Sequence, residues 1–355
     1  MNNKKDIIMI GPSPFNRGGI SSVIKSLLEL QDMQERAFLV SSYNDGSKFK
    51  KIAAFLKGIV QCLFILIFHQ QVKILHIHTA SRGSFFRKRI FVKLGKLFKK
   101  KIILHIHGAE FMVFYQESNE TVKNQIREIL DQVDVIITLS QKWKQDIESI
   151  TNNKNVKVIY NAIDNQKFNL SDLDSQDILF MGRVGTRKGI YDLVDIMPYL
   201  IKEFPNVKLH IAGDGDLSTL KRKIEDLNIN NSIFIHGWIN YNQKVQLLEH
   251  SSVFILPSYN EGLPVSILEA MAAGLPVIST DIGGIPEQID NNSSGFIIKP
   301  GDKEGLVKCI TILLADKDIR KTFGKNANYK VDKSFSLNVI GDEILSMYSV
   351  LTSDS

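Results

Sequence analysis

Cysteine is nearly absent: the 355 residues contain two, Cys62 and Cys309, far apart and each in an apolar setting. That excludes a disulfide framework and a CxxC metal pair, and the two read as buried thiols in a reducing compartment. No signal-peptide pattern opens the chain; Met1-Asn2-Asn3-Lys4-Lys5-Asp6 leads straight into a strand-like run, so cytoplasmic residence is the expectation. No apolar run reaches the ~20 residues that crossing a bilayer needs. Residues 52–68 come nearest, but Lys57, Gly58 and Gln61 interrupt them, and they read as a core or interfacial helix. Low-complexity segments are missing too. So is the dinucleotide fingerprint: Gly18-Gly19-Ile20 opens a helix, but it is not GxGxxG and no acid at a strand end completes it.

What is present is globular. Hydrophobic residues make up 44% and charged residues 23% of the chain, enough for a substantial core, and the length suits two domains. Short apolar runs alternate with helical patterns. Strands are expected at residues 7–10, 74–78, 101–107, 133–139 and 156–160, and a second series begins at 177–182 and continues through 208–212, 232–236, 253–256 and 276–279. Such alternation predicts parallel, doubly wound sheets. A polar stretch at 164–177 reads as a linker between the series, and residues 335–351 as one amphipathic helix. The expected division is an N-terminal Rossmann-like domain over 1–165, a C-terminal Rossmann-like domain over 166–333, and a helix over 334–355 that packs back on the first domain.

Charge is unevenly placed. Residues 1–164 carry 25 Lys and Arg against 14 Asp and Glu, whereas the remainder carries 19 against 24. Within the first half, residues 82–101 hold nine cations (Arg82, Arg87, Lys88, Arg89, Lys93, Lys96, Lys99, Lys100 and Lys101) and no acid, interleaved with Phe85, Phe86, Ile90, Phe91 and other apolar side chains. This stretch, Arg82 to Lys101, reads either as a solvated helix packed on its own domain or as a contact for an anionic membrane. Nucleic acid is not expected, since no recognition motif accompanies the charge.

The most informative run is residues 260–278, Asn-Glu-Gly-Leu-Pro-Val-Ser-Ile-Leu-Glu-Ala-Met-Ala-Ala-Gly-Leu-Pro-Val-Ile. Two carboxylates, Glu261 and Glu269, bracket a Gly262-Leu263-Pro264 turn. Pro264 suits the first helical position, and Gly274 with Pro276 closes the helix. A glycine-containing helix start lets backbone N–H groups approach a phosphate. Glu269, about two turns along and alone among apolar neighbours, needs a hydrogen-bonding role. Acceptors for hydroxyls beside donors for a diphosphate suit a sugar nucleotide. The run resembles the E-x7-E signature of retaining glycosyltransferases, in particular family 4, down to the flanking Pro257-Ser258 and the trailing Gly283-Gly284-Ile285-Pro286-Glu287. That resemblance implies a GT-B fold, two Rossmann-like doubly wound domains facing a cleft.

Other elements are similar to the same family. Met181-Gly182-Arg183-Val184-Gly185-Thr186-Arg187-Lys188-Gly189 resembles its G-R-x4-K-G element, which implies that Arg183 and Lys188 grip the donor's phosphates; Arg187 is an extra cation. Gly18 and Gly19 match the loop that faces donor and acceptor from the other domain. His107-Gly108 resembles the His-Gly element, implying that His107 lies near the transferred sugar. His76, His78, His105 and His107 form two H-x-H pairs that could in principle surround a metal, but no carboxylate or cysteine completes a usual set, and no metal site is expected. Asp214 and Asp216 form a D-x-D that reads as loop and helix cap. Trp238 lies either against the base or in the core.

The reading is a retaining, metal-independent glycosyltransferase with no cofactor beyond a UDP- or GDP-linked sugar as co-substrate. The acceptor is a saccharide or lipid-linked saccharide, with bacterial surface polysaccharide as the setting and the inner face of the membrane as the place. Catalytic roles fall to His107, Arg183, Lys188 and Glu261, and donor binding to Gly18, Gly19, Arg183, Lys188, Trp238, Glu261, Gly262, Leu263 and Glu269. A sugar-nucleotide epimerase or a catalytically silent subunit of the same fold are the alternatives.

Overall fold

The computed structural model describes residues 5–353. In chain order its strands are β1 (Ile7–Pro12), β2 (Ala37–Tyr43), β3 (Ile74–Thr79), β4 (Lys101–Ile106), β5 (Val135–Thr138), β6 (Val156–Val158), β7 (Asp177–Met181), β8 (Lys208–Ala212), β9 (Ile233–Gly237), β10 (Val253–Leu256), β11 (Val277–Thr280) and β12 (Gly295–Ile298). The helices are α1 (Gly19–Leu27), α2 (Gln31–Arg36), α3 (Lys48–Phe68), α4 (Gly83–Leu97), α5 (Phe111–Glu117), α6 (Glu120–Gln132), α7 (Gln141–Glu148), α8 (Ile190–Glu203), α9 (Leu217–Asp226), α10 (Tyr241–His250), α11 (Val265–Ala272), α12 (Ile285–Gln288), α13 (Lys303–Ala315), α14 (Lys317–Ser334) and α15 (Leu337–Ser353). The chain forms two compact units, one spanning Ile163–Ser336 and the other comprising the remaining described residues, so α15 belongs to the first unit.

Each unit holds one six-stranded sheet, in the order β2-β1-β3-β4-β5-β6 and β12-β11-β10-β7-β8-β9, and every strand pair is parallel. The central strands are continuous apolar runs because helices cover both faces; Ile7-Ile8-Met9-Ile10 in β1 and Val253–Leu256 in β10 are wholly buried. In each sheet the strand order reverses once, between β1 and β3 in the first and between β7 and β10 in the second. Strands β2 and β12 were not expected. Both lie at sheet edges, where partial burial and residues such as Ser41 and Ser42 dilute the apolar signal.

Two further expectations are corrected. The stretch 164–177 is not a free linker: Ser171 N donates to Ala273 O at 2.9 Å, and Arg320 donates to Leu173 O, so it packs on the second unit. The basic stretch forms α4 and the turn after it, and its apolar side is core. Phe85, Phe91 and Val92 are buried beneath the first sheet's cover, and Lys88 is buried with its Nζ donating to Ser42 Oγ. Burial, then the charge of Arg87, lowers Lys88 to a pKa of about 7. Most of the apolar side of 82–101 is thus core, while Leu97 (73% exposed) and Ile90 (37%) stay in solvent beside cations including Lys93, Lys96 and Lys99.

Candidate functional site

In an open α/β sheet, ligands bind outside the carboxyl ends of the strands where the strand order reverses. At that point in the second sheet the loop after β7 and the loop after β10 lie side by side. Tyr259 N donates to Arg187 O at 2.8 Å. Gly189, at φ 68°, runs so close to the β10 loop that a Cβ would sit 1.9 Å from Pro257 O. On the far side, Gly284 N donates to Gly262 O at 2.6 Å, and a Cβ on Gly283 would meet Glu261 O at 2.1 Å. The β8 and β9 loops join the same rim through Val184 N to Asp214 O (2.6 Å) and Gly213 N to Gly237 O (2.7 Å).

This backbone framework brings Lys188 to Glu261. Lys188 ends a short 3-10 turn, Thr186–Lys188, and its Nζ donates to Glu261 Oε1. Ser258 Oγ donates to the same oxygen at 3.0 Å. Arg187 donates to Asn260 O at 2.8 Å and stands 3.9 Å from Glu261 Oε2. Burying a carboxylate is costly unless it is paired, and Glu261, only 7% exposed, is paired on both oxygens. Two cations, Lys188 and Arg187, thus stand at one acid, and Arg183 lies exposed on the same loop.

Gly262 and Leu263 lead from Glu261 into α11. The expected place of Pro264 is corrected: with φ −65° and ψ 120° it is the N-cap, not the first helical residue, because that ψ is extended. No side chain caps α11, so its leading N–H groups point out of the helix toward the rim. At the other end Gly274 takes φ 71°, and the bonds Leu275 N to Ala270 O and Gly274 N to Met271 O (3.0 Å each) close a Schellman motif.

Glu269 is the fifth residue of α11, little more than one turn in and not two. It is buried, and Lys244 of α10 donates to its Oε1. Lys244 Nζ also stands 5.8 Å from the Tyr241 ring centroid and 6.0 Å from that of Phe168. The two acids of E-x7-E are therefore held by different lysines from different elements. Lys244 carries no signal in the sequence, where it is one polar residue in the first turns of α10. Trp238 follows β9 and is half-exposed, which corrects the core alternative. Asp216 caps α9 by accepting from Thr219 N at 3.1 Å.

The remaining residues singled out lie in the first unit. Gly18 (φ 125°) and Gly19 start α1 just beyond β1, beside that sheet's own reversal, and no side chain caps this helix either. His107 follows β4; its N donates to Thr79 O at 2.8 Å and its Nε2 lies 2.9 Å from His78 Nδ1. The rings of His105 and His107 stack at 4.0 Å, and His76 Nε2 lies 3.2 Å from His105 Nδ1. Burial lowers His76 and His107 to about 3 and holds His78 and His105 well below the ordinary range, with neighbouring rings adding to it. All four are neutral at pH 7. Nitrogens of His76, His78 and His105 lie within 4.8 Å of one another, and Nε2 of His78 and of His105 has no hydrogen-bond partner among the described residues, so among these residues the three could offer nitrogens to an ion.

Two family models match the chain, Glycosyltransferase Family 4 over residues 36–167 and Glycosyl transferases group 1 over residues 161–330. N-acetyl-alpha-D-glucosaminyl L-malate synthase of Bacillus anthracis is 26% identical over 80% of this chain and 75% of its own length. The capsular polysaccharide biosynthesis glycosyltransferase CapM of Staphylococcus aureus is 29% identical over 51% and 48%. The UDP-Gal:alpha-D-GlcNAc-diphosphoundecaprenol alpha-1,3-galactosyltransferase of Escherichia coli is 25% identical over 81% and 77%. Among solved structures, sucrose-phosphate synthase from Thermosynechococcus elongatus superposes with a TM-score of 0.83 at 18% identity, covering 99% of this chain and 100% of that one. Anabaena HepE in complex with UDP-glucose superposes with 0.78 at 18% identity, covering 97% and 99%. At these identities the structural likeness shows the fold alone, which is the two-domain GT-B fold.

Proposed function

The chain belongs to the family-4 glycosyltransferases, and from that premise we propose that it transfers a sugar, with retention at the anomeric carbon, from a nucleotide diphosphate to a hydroxyl of a saccharide or lipid-linked saccharide. The observation that carries the reading is the meeting of Lys188 and Glu261 at the strand reversal of the second sheet. An incoming diphosphate competes with Glu261 for Lys188 Nζ. Lys188, Arg183 and the uncapped start of α11 then offset the charge that grows on the leaving phosphate, where fixed donors lower a barrier most. Glu261, still held by Ser258, becomes an acceptor for hydroxyls of the donor sugar.

Glu269 accepts from the ribose, with Lys244 orienting it, and Trp238 lies against the base. Gly262 and Leu263 bring backbone to the donor. In the first unit Gly18 and Gly19 supply N–H groups, and the neutral His107 serves as a hydrogen-bonding partner for the transferred sugar. The cationic set takes the place of a divalent metal, and the nucleotide sugar, UDP- or GDP-linked, is a co-substrate; no cofactor is required. Acceptor attack occurs on the face that the phosphate leaves, and the phosphate takes the hydroxyl proton, so no covalent glycosyl-enzyme forms.

The Escherichia coli relative is named for a lipid-borne acceptor, and the Staphylococcus aureus relative for capsule synthesis. The first supports a lipid-linked acceptor and the second a place in surface polysaccharide assembly; the cytoplasmic face of the membrane is part of the same proposal. Incubation with UDP- and GDP-sugars, with and without a lipid-linked saccharide, tests the reading. Free nucleoside diphosphate and a product with the donor's anomeric configuration are expected. Isomerised donor would identify an epimerase, and no turnover with any donor would identify a silent subunit.

A further inference from the structure

Helix α3 is apolar on two faces, and the fold covers only one. Ala54, Gly58, Cys62, Ile65 and Leu66 are buried against the first sheet. Gly58 sits so near β2 that a Cβ would lie 2.8 Å from Ser41 O. On the opposite face Phe49, Ile52, Leu56, Val60, Phe64 and Ile67 are each more than half exposed, Phe49 reaching 86%. Their spacing of three and four residues aligns them in one stripe along the helix. Exposing single apolar side chains is ordinary; a contiguous row of six is not.

Charge identifies what covers the row. Residues 48–68 contain Lys48, Lys50, Lys51 and Lys57 and no acid. Lys50 and Lys57 fall along one border of the stripe, where their stems can lie on apolar surface while the ammonium groups reach outward. Lys100 Nζ donates to Gln70 O at 3.4 Å, which sets the basic end of α4, with exposed Lys96 and Lys99, beside the end of α3. A second copy of the chain on this face would offer those lysines no acid from its own α3. An anionic leaflet meets both the stripe and its border.

We infer that α3 lies in the plane of an anionic membrane, its outward stripe inserted among the lipid chains and its inward face still packed on the first unit. Against the expectation from the interrupted run 52–68, its 21 residues are long and apolar enough, by length and composition alone, to cross a bilayer. Spanning is ruled out by topology: α3 joins β2 to β3, parallel strands of one sheet, so both ends are held on the same unit and crossing would strip its buried face from the core. The inference is independent of sugar transfer, and the exposed cations of α4 become its electrostatic margin.

Sedimentation of the full chain with vesicles of phosphatidylglycerol and phosphatidylcholine, against phosphatidylcholine alone and at low and high salt, tests it. The wild type is expected to partition onto the anionic vesicles, with salt removing part of the binding. The double variant L56E/V60E alters two exposed residues, so its circular dichroism should match the wild type while partitioning falls by about tenfold or more. K93Q/K96Q should lower only the salt-sensitive part, by about fivefold per lysine. A tryptophan introduced by V60W should be quenched by lipids brominated near the headgroup more than by those brominated at the chain ends. The inference is overturned if the wild type ignores anionic vesicles at low salt, if L56E/V60E binds equally, or if deep quenching dominates. It is also overturned if the wild type binds no vesicle but forms a dimer that L56E/V60E abolishes, which would assign the face to a second copy.

Discussion

Tyr348 Oη lies 2.5 Å from His76 Nδ1, a contact across 272 residues of sequence that pins the last helix to a central strand of the first sheet. Both groups are fully buried, so each depends on the other for its hydrogen bond. Tyr348→Phe leaves His76 Nδ1 without a partner. We expect the first unit to lose about 1–3 kcal/mol, read from urea unfolding; an unchanged midpoint would show that α15 is held by apolar contacts alone.

The four stacked histidines make the first unit sensitive to acid. His76 and His107 titrate at about 3 in the folded chain because burial disfavours the imidazolium. Unfolded histidine titrates near about 6.5. Between those values the unfolded chain binds protons that the folded chain does not, so stability is full above the upper value and drains as pH falls toward the lower. Denaturation midpoints followed from neutral pH to about pH 5 should fall, and more for the first unit than the second. A midpoint independent of pH over that window would contradict the neutral ladder.

Lys188→Ala should lower turnover by on the order of 10²-fold, the usual cost of losing one fixed donor to a leaving charge. Arg183→Ala should act in the same direction with less effect on stability, since Arg183 is exposed whereas Lys188 shields a buried carboxylate. Equal kcat in both variants and the wild type would remove these residues from the reaction.

Glu269→Gln should keep the fold and weaken donor binding, because a ribose hydroxyl loses a charged acceptor, an interaction worth about 1.5–3 kcal/mol. Lys244→Met should shift donor affinity the same way through Glu269, while sparing turnover at saturating donor. Titration of nucleoside diphosphate by calorimetry reads both; unaltered affinity in the Gln variant would discard the ribose role.

Activity in excess EDTA is expected to match activity in buffer, because Arg183, Arg187 and Lys188 already supply cations at the rim. Loss of transfer that manganese restores would assign the charge compensation to a metal.

The two-unit α/β architecture was legible in the chain, because a strand buried on both faces must be a short unbroken apolar run, as Ile7–Ile10 and Val253–Leu256 are. So were the turn after Glu261 and the stop of the helix that carries Glu269, both local in sequence, whereas the helix start falls one residue later than expected. Edge strands β2 and β12 escaped for the same reason in reverse: half-burial leaves a mixed pattern.

What only the tertiary structure decided is which residues meet. Strand order sets the β7 loop beside the β10 loop, and from that follow the partnership of Lys188 with Glu261 and, one helix further, of Lys244 with Glu269. Periodicity in α3 and α4 announced apolar faces but not their coverage. The sheet took the apolar side of α4, burying Phe85, Phe91 and even Lys88, and left a full stripe of α3 in solvent. Helical spacing is a property of the chain alone. Burial depends on which neighbour arrives to exclude water, and that neighbour is far away in sequence.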